Sequence, residues 1–368
     1  MKGRSNSSPV VAVAMSGGVD SSVAAKLLVD QGYQVIGFTM MLVPPSPDRP
    51  EFDDVRGKFA DAVESARRVA RLLGIPHHVV DLSAEFERKV VSPFVRSYEF
   101  GFTPNPCLWC NPAMKFGALF AAAREFGAEK LATGHYATVR FDPQKRRWLL
   151  LRGRDRGKDQ SYVLYGLTQE MLGRSIFPLG DFTKQQVRKM AKEFGLPSAA
   201  REESQEICFV GPGGYAALLQ ARGIRSVPGD IVDLEGNVIG RHRGIVHYTI
   251  GQRKGLGLSR ERPVYVVGID AEKNRLIVAE RDKAYFSGAY LEGFNLISEE
   301  RLEGPVQATC AVRYRGKEVP CTLEVEGQGD KATVFFHVPQ FAVTPGQGAV
   351  LYQGDIVLGG GIIVRAWR

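Results

Sequence analysis

Apolar residues in the first 135 positions follow two alternating rhythms. Val10–Ala14 is a short β-branched run of strand length, and Gln34–Met40, His78–Leu82 and Lys130–Thr133 repeat that signature. Between them lie segments whose apolar positions recur every three or four residues. These are Ser21–Gln31, stopped by Gly32, then Lys58–Leu73, closed by Gly74, then Ala84–Ser97 and Ala113–Phe126. In Lys58–Leu73 the residues Phe59, Val63, Ala66, Val69, Ala70 and Leu73 share one face. Strand and helix in alternation predict a parallel sheet covered by helices on both sides. The Pro- and Asp-rich stretch Leu42–Gly57 is long enough to be a functional loop.

The texture changes after Tyr136. Ala137–Arg152 reads as a hairpin, and Thr183–Phe194 as one more helix, with a basic face, ended by Gly195-Leu196-Pro197. From about Gly211 to Asp282 glycines and short strands dominate. From Tyr285 onward almost only strands remain: Gln307–Tyr314, Val319–Glu326, Lys331–Phe336, Ala349–Tyr352 and Ile356–Arg365. Regularly spaced short strands predict a small β-barrel. A chain of 368 residues is long for one core. The expected division is an α/β domain over residues 1–208, a small mostly-β central domain over 209–283 and a C-terminal β-barrel over 284–368.

Composition narrows the class. The chain is 44% apolar and 24% charged, ordinary for a water-soluble globular protein. Its longest apolar runs are strand-length, well short of the roughly 18–20 residues of a membrane span. Its polar N-terminus lacks the order of a signal peptide. A cytoplasmic protein with no membrane partner is expected. The net charge of +8 favours a polyanionic partner, and its distribution says more than its size. Residues 140–160 hold eight Lys or Arg against three Asp, and a second basic stretch runs from Arg241 to Arg262. Such clustering suits a phosphate backbone, although two solvated hairpins would look alike. Five cysteines (Cys107, Cys110, Cys208, Cys310, Cys321) argue against a disulfide framework in a cytosolic chain. Cys310 and Cys321 lie on predicted neighbouring strands and read as core.

The densest chemistry sits where the first strand meets the first helix. Ala14-Met15-Ser16-Gly17-Gly18-Val19-Asp20-Ser21-Ser22 brings exposed glycine backbone to a helix N-terminus, where N–H groups and partial positive charge favour a phosphate. Ser16, Ser21 and Ser22 offer hydroxyl donors, and Asp20 can hold a Mg²⁺ bridging phosphates. The spacing is not that of a Walker A loop, and its lysine is missing. The segment resembles the SGGxDS loop of the PP-loop ATP pyrophosphatases, enzymes that adenylate a carbonyl oxygen and release pyrophosphate. That resemblance implies an adenine nucleotide α-hydrolase-like, Rossmann-like domain and leaves the substrate open.

A second segment, Thr103-Pro104-Asn105-Pro106-Cys107-Leu108-Trp109-Cys110-Asn111, is a proline-stiffened loop before a helix. It resembles the TPNPDxxCN loop of the tRNA-specific 2-thiouridylases. So do Ala132–Ala137, Lys158–Tyr162, Glu203–Phe209 and Tyr248–Leu256, with Arg313-Tyr314-Arg315 and Pro345-Gly346-Gln347 in the barrel. The likeness runs through nearly the whole chain in order. It implies 2-thiolation of the wobble uridine: ATP adenylates the C2 oxygen, a sulfur nucleophile displaces AMP, and the base leaves its stack to react. It further implies Cys110 as nucleophile and Cys208 as the persulfide carrier. Ala14 to Ser21 with Met40 and Gly134 would surround ATP and Mg²⁺. Asn105, Pro106 and Cys107 would meet the target base, and His135, Lys158, Asp159, Gln160, Arg313, Tyr314 and Gln347 the tRNA. The partners implied are the tRNA anticodon arm and a sulfur donor protein or sulfide.

One position departs from the pattern. Cys107 stands where many relatives have Asp, which puts in doubt any part that Asp plays elsewhere. Cys107, Cys110 and Cys208 together could hold a 4Fe-4S cluster with one iron open to sulfide. The alternatives are persulfide or dithiol chemistry without a cluster, a zinc site lacking an evident fourth ligand, and a tolerated small residue. For the whole chain, the alternative enzyme is a PP-loop ligase acting on a small metabolite, though no glutaminase region is visible. A non-catalytic RNA-binding or cluster-carrying protein would leave the phosphate loop unexplained. His77 and His78 read as structural, and His242 and His247 as surface histidines, with RNA contact as the alternative.

Overall fold

The β-branched run that opens the chain becomes the centre of a parallel sheet in the computed structural model, which describes residues 8–43, 50–199, 207–327 and 329–368. Its strands are β1 (Val10–Ala14), β2 (Gln34–Met41), β3 (His77–Asp81), β4 (Lys130–Ala132) and a two-residue edge strand, β7 (Ser175–Ile176), in the order β3-β2-β1-β4-β7. All four pairings are parallel. β1 is central and covered on both faces, which is why it reads as an unbroken apolar run. Val11 and Val13 pack with Val23, Ala24 and Leu28 of helix α1 (Val19–Asp30) and Ala66 and Val69 of helix α2 (Asp53–Leu73).

Helix ends depart from the periodic reading where local chemistry intervenes. α2 starts five residues earlier than Lys58, because the 3-10 turn Pro50–Phe52 leads into it and Phe52 and Val55 are buried at its start. Gly74 closes it in the left-handed conformation (φ 67°). The helix expected at Ala113–Phe126 begins at Cys107. It is α-helical over Cys107–Cys110, widens to a π-helix over Asn111–Leu119, and returns to α over Phe120–Glu125. Pro112 cannot donate to the helical ladder, and its carbonyl lies where a Cβ on Gly117 would be 2.8 Å away, so glycine leaves room for the widened turn.

The basic hairpin forms as expected, from β5 (Ala137–Asp142) and β6 (Arg147–Arg152). The central region carries a mixed four-stranded sheet of β8 (Gly229–Val232), β9 (Val238–His242), β10 (Val264–Asp270) and β11 (Arg275–Glu280), ordered β10-β11-β8-β9. His242 is a correction: it is 2% exposed. Its Nδ1 accepts from the Gly244 N–H and its Nε2 faces the Asn274 carbonyl; burial lowers its pKa, against the Asn274 carbonyl, which acts to raise it.

The barrel strands are β12 (Tyr285–Leu296), β13 (Val306–Ala311), β14 (Val319–Glu326), β15 (Lys331–Phe341), β16 (Gly348–Gln353) and β17 (Ile356–Trp367). They run β12-β15-β14-β13-β16-β17, and β12 pairs with β17 to close the ring. The periodic reading misses β12, whose register shifts at three places against its neighbours, so its apolar residues do not alternate cleanly. Cys310 and Cys321 lie in the barrel core with Leu323, Val334 and Leu351. The hydrogen bond from Cys321 and burial push the Cys310 thiol well above its ordinary value, so it packs as an inert apolar group.

The chain forms two compact units. The first takes the chain up to Lys89, Trp109–Phe209 and Asp355–Val357, and holds the parallel sheet. The second takes Val90–Leu108, Val210–Gly354 and Leu358–Arg368, and so collects the helix Ser92–Glu99 and the proline-stiffened loop together with the central sheet and the barrel.

The barrel wall contains a sharp steric test. A Cβ on Gly288 would lie 2.0 Å from Trp367 Cζ2. Gly288→Ala should therefore lower stability by about 1–3 kcal/mol. Thermal melting should show it, and adding Trp367→Ala should recover part of the loss.

Candidate active site

The phosphate loop is built by backbone that approaches unusually closely. Gly17 is left-handed (φ 71°), and a Cβ there would sit 2.4 Å from the Ala62 carbonyl oxygen of α2. Ser65, one turn further along α2, donates to the Gly17 carbonyl at 2.8 Å. On the other side, a Cβ on Gly134 would lie 2.7 Å from the Ser21 nitrogen. Glycine at 134 thus lets the chain leaving β4 pass directly against the N-terminus of α1. Gly18 precedes that helix in extended conformation, with no side chain capping the first turn. Its first-turn N–H groups and the dipole therefore serve an anion well.

The serines divide their work differently from the sequence expectation. Ser21 and Ser22 both donate to the Gly18 carbonyl, at 3.3 and 2.8 Å, and Ser21 Oγ also accepts from the Ser16 N–H. Ser22 is fully buried, so its hydroxyl shapes the loop and does not face a ligand. Ser16 is the exposed serine of the three. Met15 is anchored by its N–H to the Phe38 carbonyl and through its own carbonyl to Thr39 Oγ1. Thr39 Oγ1 in turn meets His77 Nε2 at 2.9 Å, which gives His77 the structural task expected of it. Met40 is half-buried on β2, beside that anchor.

Lys184, which carries no signal in the sequence, sits at the centre of the site. Its ammonium donates to both carboxylate oxygens of Asp20 at 2.8 Å, while the Tyr136 hydroxyl donates to Oδ1, also at 2.8 Å. The Lys184 side chain is 10% exposed. The helix Lys184–Glu193 aims it there: Thr183 and Gln186 form a capping box, and the Lys184 N–H donates to Asp155 Oδ2. A lysine at the first turn of a basic amphipathic helix looks like any other solvated one. Together the loop offers unpaired helix N–H groups, a shielded ammonium and a carboxylate, a donor set that fits ATP phosphates and Mg²⁺.

His135 is 7% exposed. Its Nδ1 faces Thr133 Oγ1 at 2.7 Å and its Nε2 faces the Lys115 ammonium at 3.3 Å. Burial, then the Lys115 charge, pushes its pKa well below 6.5, so it is neutral. Asp159 is spent internally. Its Oδ1 accepts from the Gly153 and Ser161 N–H groups, its Oδ2 accepts from the Ser161 hydroxyl, and Arg152 lies 3.4 Å away. Gln160 clasps Tyr136, accepting its N–H through Oε1 and donating its own N–H to the Tyr136 carbonyl. Lys158 is half-buried in the same turn.

In the second unit, Asn105 forms the turn that opens the cysteine helix. Its Oδ1 accepts the Cys107 N–H at 3.1 Å, and its carbonyl accepts the Leu108 N–H. Pro104 and Pro106 are buried and stiffen the approach. Thr103, at the foot of this loop, is held by barrel and central residues at once. Its carbonyl accepts from Gln347 Nε2 at 2.7 Å, its N–H donates to the Pro345 carbonyl, and its hydroxyl meets that of Thr249. Two segments far from it in the sequence thus converge on Thr103. Arg313 is exposed and Tyr314 half-buried at a turn of the barrel.

Cys107 and Cys208 are exposed, and Cys110 is intermediate. Cys107 and Cys110 begin and end a single helical turn. Among the described residues no group of three or more His, Cys, Asp or Glu is placed to hold a metal ion. The stretch Glu203–Glu206, part of the motif before Cys208, lies outside the described residues.

Residues 9–212 match a family model described as tRNA methyl transferase HUP domain, residues 217–280 one described as tRNA methyl transferase PRC-barrel domain, and residues 287–363 one described as aminomethyltransferase beta-barrel domain. Among similar proteins, tRNA-specific 2-thiouridylase MnmA 1 of Caldanaerobacter subterraneus subsp. tengcongensis is 47% identical over 97% of this chain and 98% of its own length. The tRNA-specific 2-thiouridylase MnmA of Moorella thermoacetica is 48% identical over 95% of this chain and 98% of its own.

Two expectations follow from the site. Lys184→Gln leaves the Asp20 carboxylate uncompensated beside the phosphate position, and ATP affinity measured by calorimetry should fall about tenfold or more, a loss near 1.4 kcal/mol. For His135 the folded pKa lies below the unfolded value, so the unfolded chain binds more protons in acid. Its contribution to stability is present above about pH 6.5 and is lost as pH falls below it. Denaturation between pH 8 and pH 5 should show that decline, and His135→Asn should flatten it.

Proposed function

Because the chain belongs to the tRNA-specific 2-thiouridylase family, we infer that it uses ATP to replace the C2 oxygen of the wobble uridine in tRNA by sulfur. The observation that carries this is agreement along nearly the whole chain with relatives of that activity, together with a phosphate cradle whose donors fit ATP. Bound ATP supplies the adenylyl group that makes the C2 oxygen a leaving group, with release of pyrophosphate and then AMP.

The protein's own residues do the rest. The N-terminus of α1 and Gly17–Gly18 hold phosphate oxygens by backbone N–H groups. Lys184 and Asp20 set the charge of the cradle, for phosphate and Mg²⁺ respectively, and Gly134 and Met40 border it. Asn105, Pro106 and Cys107 form the stiff wall against which the flipped base rests. Arg313, Tyr314 and Lys158 touch the tRNA. His135, Asp159, Gln160 and Gln347 act by positioning: they hold Thr133, Gly153 with Ser161, Tyr136 and Thr103 in place, respectively. The ATP site belongs to residues 1–208, and the tRNA grip to the central region (209–283) and the barrel (284–368). Among the described residues no helix is long and apolar enough to cross a membrane.

For sulfur transfer, Cys208 receives a sulfane sulfur as a persulfide from a donor. The terminal sulfur attacks C2 and AMP departs, leaving C2 joined to Cys208 through a disulfide. The Cys110 thiolate attacks the Cys208 sulfur, 2-thiouridine leaves with the transferred sulfur, and a thiol reductant cleaves the resulting Cys110–Cys208 disulfide. No step here runs through a 4Fe-4S cluster on Cys107, Cys110 and Cys208.

The test is 2-thiouridine formation on unmodified tRNA with iron-free protein, ATP and a persulfide donor. Cys110→Ala and Cys208→Ala should each abolish product, with ATP affinity unchanged, while Cys107→Ala retains activity. Iron-dependent thiolation lost in all three variants would replace the persulfide route by the cluster. Pyrophosphate release without tRNA, insensitive to the cysteine changes, would point instead to a small-metabolite ligase.

A further inference from the structure

The segment joining β9 and β10 lies in the basic stretch Arg241–Arg262, and the chemistry above gives none of its side chains a particular task. Residues 253–262 hold four cations, Arg253, Lys254, Arg260 and Arg262, against one acid, Glu261. All four cations are exposed. The segment is nonetheless well anchored. The Gly251 N–H donates to the Val266 carbonyl at 2.7 Å, and the Val266 N–H donates to the Gln252 carbonyl at 2.9 Å. The Gln252 side chain bonds both the Thr249 N–H and the Lys254 carbonyl. Leu256 is 5% exposed, and Leu258 lies over Gly240, where a Cβ would be 2.4 Å from its Cδ2. These two leucines hold the backbone in place and, together with Arg253, Arg260 and Arg262, line a hollow.

That hollow is a cavity of about 220 Å³ lined by Arg253, Arg260 and Arg262, with Gly255, Gly257 and Pro263 among its other walls. Gly255 and Gly257 are left-handed (φ 78° and 68°), and a Cβ on either would meet no atom closer than 3.8 Å. Backbone is therefore open to a ligand there. Arg262 pairs with Glu280 at 3.3 Å, with side chains 77% and 49% exposed, a weak surface pair that an incoming anion can displace. Guanidinium forks match phosphate oxygens in pairs. The volume lies below the roughly 300 Å³ at which small-molecule pockets begin, which suits a phosphodiester group better than a whole nucleotide.

We propose that this arginine-lined cavity is a binding site for the RNA sugar–phosphate backbone, an anchor of the tRNA in the central region. The proposal rests on the 2-thiouridylase reading, since that reading supplies the RNA. Each phosphate neutralised steepens the fall of log affinity with log salt by about 0.7–0.9, so the site has a measurable electrostatic signature.

The experiment uses the full chain and an unmodified substrate tRNA. Binding is measured across a salt series for wild type, Arg253→Gln/Arg260→Gln and Arg253→Lys/Arg260→Lys, with ATP affinity and melting temperature as controls. The glutamine variant should bind tRNA about tenfold or more weakly, with a slope smaller by about one to two, and with ATP affinity and melting unchanged. The lysine variant should keep the slope and recover only part of the affinity, because the charge remains and the fork is lost. Wild-type tRNA affinity and slope in the glutamine variant would overturn the proposal while leaving the family reading intact. Two further results, each with tRNA binding unaltered in that variant, would overturn it in favour of another ligand. Loss of thiolation with a donor protein but not with a small-molecule persulfide would assign the surface to an acidic protein. Protection of wild type alone against thermal unfolding by inorganic phosphate or pyrophosphate would assign it to a free anion. A wild type that neither binds tRNA nor forms 2-thiouridine would refute the family reading, and the proposal with it.

Discussion

Close approach of backbone at the start of α1 is the constraint around which the first unit is arranged. Gly17 touches α2, and Gly134 touches the first turn of α1, at distances no side chain tolerates. The approach leaves the α1 N–H groups exposed to a ligand and brings Tyr136, two residues after Gly134, to the Asp20 carboxylate. Lys184 completes the arrangement from a helix more than 160 residues away in sequence. A carboxylate at a phosphate site would repel its own ligand. The shielded ammonium beside it offsets that repulsion and holds the Asp20 carboxylate in a fixed orientation.

The second unit is organised by a different contact, at Thr103. Its three polar groups are satisfied by Pro345, Gln347 and Thr249, so the foot of the proline-stiffened loop is fixed by the barrel and the central region together. Two buried prolines and the Asn105 turn carry that rigidity up to Cys107. A loop on a rigid foot keeps its geometry without help from a ligand. Several residues that the sequence likeness would place against tRNA do such structural work. Gln347, Gln160 and Asp159 spend their side chains on the protein's own backbone, and buried His135 stays neutral between Thr133 and Lys115.

The chemistry separates along the same lines. The phosphate cradle is generic and would serve any adenylating enzyme. Positive charge is concentrated elsewhere: on the basic hairpin β5–β6, the exposed Arg313 and the arginine-lined hollow of the central region. Cysteine exposure follows the same division of labour. Cys107 and Cys208 reach solvent, whereas Cys310 and Cys321 are sealed in the barrel, where the hydrogen bond with Cys321 and then burial push the Cys310 thiol well above its ordinary value.

Local patterns along the chain determine much of this protein by themselves. β1, the basic hairpin and the barrel strand Val319–Glu326 are legible because a two-residue or 3.6-residue period is a property of neighbouring residues. The loop at Ala14–Ser22 is legible because a strand, two glycines and a helix start are contiguous. Only the tertiary structure decides what depends on distant partners. β12 is hidden by its bulges, and β7 by being two residues long at a sheet edge. Burial of His242 and His135, the inward turn of Ser22 and Asp159, and the Gln347–Thr103 bond each depend on what arrives from elsewhere in the chain. Lys184 shows the reason most plainly. Its type and position announce an exposed lysine on an amphipathic helix, and only the fold brings it to Asp20, because pairing energy depends on distance in space and sequence spacing does not encode it.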